Sequence, residues 1–280
     1  MTRLIEIQGH ITSMRELLEV IGAMRSLASM RVQEAQRALP GIRHYAEAMR
    51  AAVSAALLLP SSGEPAGTVR GDRALVLCCG EHGFVGGFNE RLVLAAQAEL
   101  QPQDLLFVLG SRGGGFALER GLAPAWQEPM ATRLASVPAT IDRLEAALYP
   151  RIAQGTVSRV EVMYAAYQSG APPVIERHGL LPLDVSAIAL GPRQAPLHNL
   201  DPPVLLQGVV TEYVFALLTA AAVESITSEN AARFAAMESA YHNVEAKLEN
   251  LRQDANQARQ GEITEELLDL IAGAHRLGEN

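Results

Sequence analysis

The 280-residue chain is poor in lysine, cysteine, aromatic residues and positive charge, and each shortage removes a class of function. Lys247 is its only lysine, so no lysine-dependent phosphate cradle or Schiff base exists elsewhere. The two cysteines, Cys78 and Cys79, are adjacent in an apolar run. Neighbouring strand residues point to opposite faces, so the two thiols can neither pair nor share a metal, and a reducing compartment is expected. A formal charge of -8 argues against a nucleic-acid partner. The longest apolar run worth testing as a membrane span, Tyr213 to Val223, is about half the length a bilayer requires. Arg3 and Glu6 interrupt the N-terminus where a signal peptide needs an apolar core. A soluble or at most peripheral protein is expected.

What the chain has in quantity is heptad periodicity. Leu4, Ile7, Ile11, Met14, Leu18 and Ile21 alternate spacings of 3 and 4, and after Arg25 the pattern resumes at Ala28, Val32, Ala35, Leu39 and Ile42. That is a coiled-coil seam with one charged position. Pro40 is expected to kink the helix or break it at Leu39, with helix resuming to about Leu59. Phe234, Met237, Tyr241, Val244, Leu248, Leu251, Ala255 and Ala258 form a second seam, in a region free of proline after Pro203. One helix over 206–276 would extend roughly 100 Å, more than a domain of this size spans, so its exposed part needs a partner helix. The N-terminal seam is the nearest candidate. Residues 1–57 carry seven Arg against five Glu, and residues 209–280 five basic against twelve acidic, a contrast that favours pairing only weakly.

Between the helices the texture changes. Residues 60–73 are rich in Pro, Ser and Gly and predict a surface linker. Ala74 to Cys79, Leu105 to Leu109 and Val160 to Tyr167 predict strands, with helices at about Glu90 to Leu100 and Ile141 to Ala153. Alternation of the two predicts a small parallel-type α/β sheet. The proline-rich region from Ala171 to Leu206 predicts an edge strand followed by irregular chain.

The segment Gly80-Glu81-His82-Gly83-Phe84-Val85-Gly86-Gly87-Phe88-Asn89 lies between strand and helix, where a phosphate loop would stand. It has neither Gly-Lys-Ser/Thr nor the Gly-x-Gly-x-x-Gly order, and a structural turn is the favoured reading. Ser111 to Gly115 likewise predicts a flexible turn. No two of the seven histidines stand at i, i+4, so no metal site is predicted on a helix. Glu81 with His82, or Glu265 with Glu266, would make acid/base pairs only if a cleft held them. In Ala258-Arg259-Gln260-Gly261-Glu262-Ile263-Thr264-Glu265-Glu266-Leu267 the seam loses its apolar residues. Its polar side chains either fix register or touch something outside the coiled coil.

In combination these segments resemble the gamma subunit of F-type ATP synthase over nearly the whole chain. The resemblance is carried by Ala23-Met24, Arg31, Ala35-Gln36, Tyr45-Ala46-Glu47 and Met49, and by Gly83-Phe84-Val85-Gly86-Gly87-Phe88-Asn89, similar to the family's Gly-Leu-Cys-Gly-Gly-Leu-Asn. Near the end it rests on Glu224-Ser225, Ser228-Glu229, Ala232-Arg233, Ala236-Met237 and Asn243, then Ala258-Arg259-Gln260, Ile263-Thr264, Glu266-Leu267 and Gly273-Ala274. It implies an α/β fold: an antiparallel coiled coil of helices over 1–59 and 206–280, with a Rossmann-like foot over 74–200. It further implies a non-catalytic rotor without a cofactor, turning inside the alpha and beta subunits. The foot would bind the epsilon subunit and the c-ring, at the cytoplasmic face of a bacterial inner membrane.

Matched residue by residue, Arg259 and Gln260 correspond to the pair at the beta-subunit catch loop, with Thr264 one turn on. Met24 and Arg25 correspond to N-helix residues near the beta-subunit lever, and Phe84, Val85 and Gly86 to a loop near the catalytic subunits. Departures include Val85 for the loop cysteine and His44 for the proline before Tyr-Ala-Glu. The alternative is a small α/β nucleotide-binding enzyme with a helical oligomerisation arm and a ligand loop at 80–89.

Overall fold

A computed structural model describes residues 2–59, 71–188 and 196–277. Most of the linker expected at 60–73, and part of the irregular chain expected before the long C-terminal helix, lie outside these described residues. The elements run α1 (Thr2–Ala56), β1 (Asp72–Cys78), α2 (Phe88–Glu99), β2 (Leu105–Leu109), α3 (Ser111–Glu119), β3 (Trp126–Glu128), α4 (Val137–Ala153), β4 (Val157–Ala166), β5 (Val174–Leu181), α5 (Val185–Ile188) and α6 (Pro202–Leu277). A 3-10 turn, Leu134–Ser136, leads into α4.

The terminal helices are long, 55 residues in α1 and 76 in α6. Of the kink or break expected at Pro40, the break does not occur: α1 runs through it without interruption. Pro40 and Gln36 are exposed while Ala35 and Leu39 are buried, so the carbonyl that loses its amide partner faces water. Pro202 and Pro203 open α6, where the first turn has no amide bond to lose. By length and composition alone, Pro202–Glu265 is long and apolar enough to cross a membrane, which counting an uninterrupted run did not reveal. Several of its apolar residues, Val214, Leu218, Ala221 and Ala222, belong instead to the core beside the sheet.

The chain divides into two compact units, Met1–Leu27 with Phe234–Asn280, and Ala28–Arg233. In the first, α1 and α6 pair along their seams: Ile11, Leu248 and Ala255 are buried together, with Leu4, Ile7, Met14 and Leu251 against them. Ile11 meets Leu248 and Ala255 whereas Arg25 meets Glu238, so one helix number rises as the other falls, and the pairing is antiparallel. Phe234 departs from its seam and is 38% exposed.

The second unit is built on a five-stranded sheet of order β3-β2-β1-β4-β5, parallel except for β5, which pairs antiparallel to β4 at the edge. Alternation along β1 sends Ala74, Val76 and Cys78 to one face and Leu75, Leu77 and Cys79 to the other. Burial on both faces explains why β1 reads as a continuous apolar run. The first face packs against α4 (Ile141, Leu144, Leu148), α6 and Ala35 and Leu39 of α1. The second packs against α2 (Phe88, Leu92, Val93, Ala96) and Ala117 of α3. Cys78 and Cys79 therefore lie in different cores, both free, and burial pushes the Cys78 thiol up to about 12.

Ser111 to Gly115, expected as a flexible turn, is the start of α3. Its glycines serve packing: a Cβ on Gly113 would lie 2.1 Å from Cys79 Cβ, and one on Gly114 2.2 Å from the Gln127 side chain. Only a glycine face lets this helix approach the sheet so closely.

Candidate functional site: a filled strand-end crevice and an exposed helix end

In an open α/β sheet the ligand crevice lies outside the carboxyl ends of the strands, where the strand order reverses. Here that point falls between β1 and β4, and α6 lies across it. Residues 221–230 of α6 are buried without interruption. The Ser225 hydroxyl donates to Cys78 O at 2.6 Å and the Ser228 hydroxyl to Ala165 O at 2.8 Å, so a carbonyl at the carboxyl end of each of β1 and β4 is satisfied by the helix. One Glu224 oxygen accepts from the Tyr167 amide at 3.1 Å, and the other accepts from Arg43 of α1.

One turn further on, Glu229 and Arg233 form an ion pair with side chains only 7% and 8% exposed. Arg233 also donates to Asn230 Oδ1 at 3.0 Å, and twice to Gly83 O at 3.3 Å. Glu229 presses on the chain after β1: a Cβ on Gly80 would lie 2.8 Å from Glu229 Cδ. The Gly80 amide donates to the buried Asn89 Oδ1 at 2.7 Å, closing the glycine-rich loop on itself.

The remaining anchor of this loop is Glu81, considered above as an acid/base group. One of its oxygens accepts from the amides of Ser111 and Met130, both at 2.9 Å. A helix N-terminus is where a nucleotide fold would receive a phosphate. At α3 that position is held by a carboxylate of the same chain, while His82 is exposed and joins no pair with it. The loop is thus a brace whose polar groups at the strand ends are engaged by Glu81, Asn89 and Arg233 of the same chain, an arrangement that gives the nucleotide-enzyme alternative no support.

Of the loop residues singled out in the sequence, Val85 is buried, and Phe84 is 69% exposed with φ of 60°, in the left-handed region that a phenylalanine rarely adopts. Gly86 follows at φ 55°. Arg259, Gln260 and Thr264 are all exposed on α6 beyond the half-buried Ala258, with Gln260 and Thr264 one turn apart on the same side and Arg259 beside them. The Thr264 hydroxyl donates to Gln260 O at 2.8 Å. The Glu266 side chain, and with it the pairing with exposed Glu265, lies outside the described residues. Met24 and Arg25 are half-buried on α1; Arg25 donates to Glu238 at 3.0 Å and lies 4.7 Å from the Tyr241 ring centroid. These groups lie in separate places: 24, 25, 259, 260 and 264 in the helix pair, and 84–86 in the α/β unit.

Sequence reasoning quoted Ser225, Ser228, Glu229 and Arg233 without giving them a task. The available signal was small polar and charged residues recurring at i, i+3, i+4 and i+8 inside an alanine-rich helix, which marks a polar face with something to bind.

The α/β unit fills its own strand-end crevice with its longest helix, and that helix runs on into an antiparallel helix pair, an arrangement suited to a mechanical subunit. A family model for ATP synthase matches residues 3–277. The ATP synthase gamma chain of Synechococcus elongatus is 30% identical over 318 aligned positions, covering 99% of each chain. That of Frankia casuarinae is 28% identical over 292, covering 98% of each. The chain belongs to the ATP synthase family as a gamma chain, a non-catalytic subunit of the F1 part of a membrane-bound complex. Solved structures share its fold. A chain of the Tetrahymena thermophila mitochondrial ATP synthase central stalk and c-ring has 18% identity and a TM-score of 0.57, over 79% of this chain and 99% of that one. A chain of the Euglena gracilis mitochondrial enzyme has 16% identity and a TM-score of 0.59, over 96% and 95%.

Proposed function

We propose that this gamma chain is the rotor of a bacterial ATP synthase, turning within the alpha and beta subunits and carrying torque between them and a membrane c-ring. Residues 1–59 and 206–280 are its shaft, and 74–200 its foot, which also meets the epsilon subunit. The complex stands on the cytoplasmic face of the inner membrane. Coupling needs no chemistry on this chain: an asymmetric shaft presents different faces to successive beta subunits and biases their conformations through differential contact. Arg259 and Gln260, with Thr264 a turn away, supply the C-helix side of that contact, and Met24 with Arg25 the N-helix side. The loop of Phe84, Val85 and Gly86 lies near the lower part of the catalytic subunits, with Phe84 and Gly86 exposed and Val85 anchoring it in the core.

The observation that carries this reading is the buried polar band from Glu224 to Arg233, which occupies the ligand crevice and ties the α/β unit to the shaft helix. The test is the double variant Arg259→Ala, Gln260→Ala in the complex reconstituted in vesicles. Weakened ATP synthesis with intact assembly is expected. Unchanged synthesis and rotation would refute the contact assignment.

A further inference from the structure

The α1 seam is apolar from Leu4 to Ile21 and turns charged only at Arg25. Opposite it α6 supplies Glu238 and Tyr241. Arg25 Nη1 donates to Glu238 Oε2 at 3.0 Å, and its guanidinium lies 4.7 Å from the Tyr241 ring centroid. The second Glu238 oxygen contacts His242 Nε2 at 3.1 Å, and the His242 ring stands edge-on to Tyr241 at 6.1 Å and 88°. The ionic groups are partly covered, at 32% and 38% exposure. Two helices are thus cross-connected at one level by an ion pair, a ring-face contact and a supporting histidine.

We propose that Arg25, Glu238 and Tyr241 form a shear key, a positioning group that stops α1 and α6 from sliding past each other when the shaft carries torque. The inference rests on the rotor reading and deepens it. A pair of wound helices yields to torque by lengthwise slip of one strand against the other. Apolar burial resists slip poorly, because it depends on area and has no direction. A hydrogen bond is directional: a slide of one residue rise, about 1.5 Å, stretches and bends it and so weakens it. The guanidinium likewise keeps its attraction only while it stays over the ring face. A polar layer within an apolar seam is also the usual device for fixing coiled-coil register. Arg25 then acts through Glu238 and Tyr241 from within the shaft.

The test uses the chain assembled with its alpha and beta subunits and a bead fixed to the shaft, read as the variance of bead angle at the stalled positions. Arg25→Leu should extend the apolar seam and leave thermal melting of the helix pair unchanged or raised. The angular variance should rise about twofold, the order expected for losing two contacts each comparable to thermal energy. The swap Arg25→Glu with Glu238→Arg should restore the variance. Glu238→Gln, which keeps shape and folds independently of any change at Arg25, should loosen the shaft in the same direction. Wild-type variance in Arg25→Leu and Glu238→Gln, or a swap as loose as Arg25→Leu, overturns the shear key. A wild-type assembly that does not rotate overturns the rotor reading itself, and this inference with it.

Discussion

Removing the Arg233 guanidinium is the most demanding test of the filled crevice. In Arg233→Ala the Glu229 carboxylate stays where it is, 7% exposed and pressed against Gly80, and loses the one cation that pairs with it among the described residues. Two acceptors lose their donor as well, Asn230 Oδ1 and the Gly83 carbonyl. Breaking a buried pair from one side costs about 3–5 kcal/mol, because the surviving charge is left desolvated. A domain of this size has roughly 5–15 kcal/mol in total, so the α/β unit should remain folded but melt on the order of 10 °C lower. Trp126, the only tryptophan, lies on β3 with its ring centroid 6.0 Å from Phe107. Its fluorescence in a urea titration therefore reports this unit.

The control that separates charge from packing is the double variant Arg233→Met, Glu229→Met. It removes both ions at similar volume and should cost less than either single truncation, since an apolar replacement of a buried pair is often near neutral. The contrast between single and double variants carries the argument. If Arg233→Ala costs under about 1 kcal/mol, or if the double variant costs the sum of Arg233→Met and Glu229→Met measured singly, the pair is not a desolvated lock and the crevice is wetter than the geometry states.

Gly113→Ala should be severely destabilising or prevent folding, because its Cβ would overlap Cys79 Cβ at 2.1 Å and that atom is anchored in the sheet. Expression and melting of the variant check this. Gly22→Ala should stabilise the helix pair by about 0.5–1 kcal/mol, since the added Cβ meets Tyr241 at an ordinary 3.9 Å and only helix propensity changes. Glu145 makes stability depend on pH. Burial chiefly, with Asp142 and Glu212 adding to it against an opposing hydrogen bond from Tyr149, raises its carboxyl from 4.5 to about 7. The folded state then holds more protons between those values, so stability is complete below about 4.5 and falls as pH rises through 7. The group is half exposed, so the loss should be about 1–2 kcal/mol after screening. Melting across pH 4.5–7.5 should show this slope, and Glu145→Gln should flatten it.

Much of this fold was legible because its signals are periodic. The 3-and-4 spacing located both long helices, and the apolar runs at Ala74, Leu105 and Val160 located three strands, because β1 and β2 are buried over most of their length and β4 buries its apolar residues between half-exposed ones. β3 was missed since Trp126–Glu128 is three residues long and half-exposed, leaving no pattern to count. Pro40 misled because a proline's cost depends on which way the freed carbonyl faces, which a sequence does not print. Gly113 and Gly114 misled for a related reason. Glycine marks either a backbone that must bend or a neighbour that must come close, and only the position of Cys79 and Gln127 decides between them. Arg25 was visible as an anomaly in the seam, but its partner is more than 200 residues away and no local rule connects them.

The same ambiguity explains why residues 80–89 imitate a phosphate loop. A phosphate cradle needs glycine so that backbone amides approach an anion; this loop needs Gly80 so that the anion of its own chain, Glu229, can approach the backbone. Both solutions put glycine after a central strand, and both place a negative group at the crevice. They differ in what completes the charge. In a nucleotide site it is a lysine or a metal. Here Arg233 supplies it, and Arg233 and Glu229 both project from the helix that continues into the shaft. A chain with one lysine loses nothing by this arrangement, because the cation it requires is one that can hold Glu229, Asn230 and the Gly83 carbonyl at once. Three acceptors on one planar group make the α6 face a fixed seat for the loop, which a single ammonium at the same place could not provide.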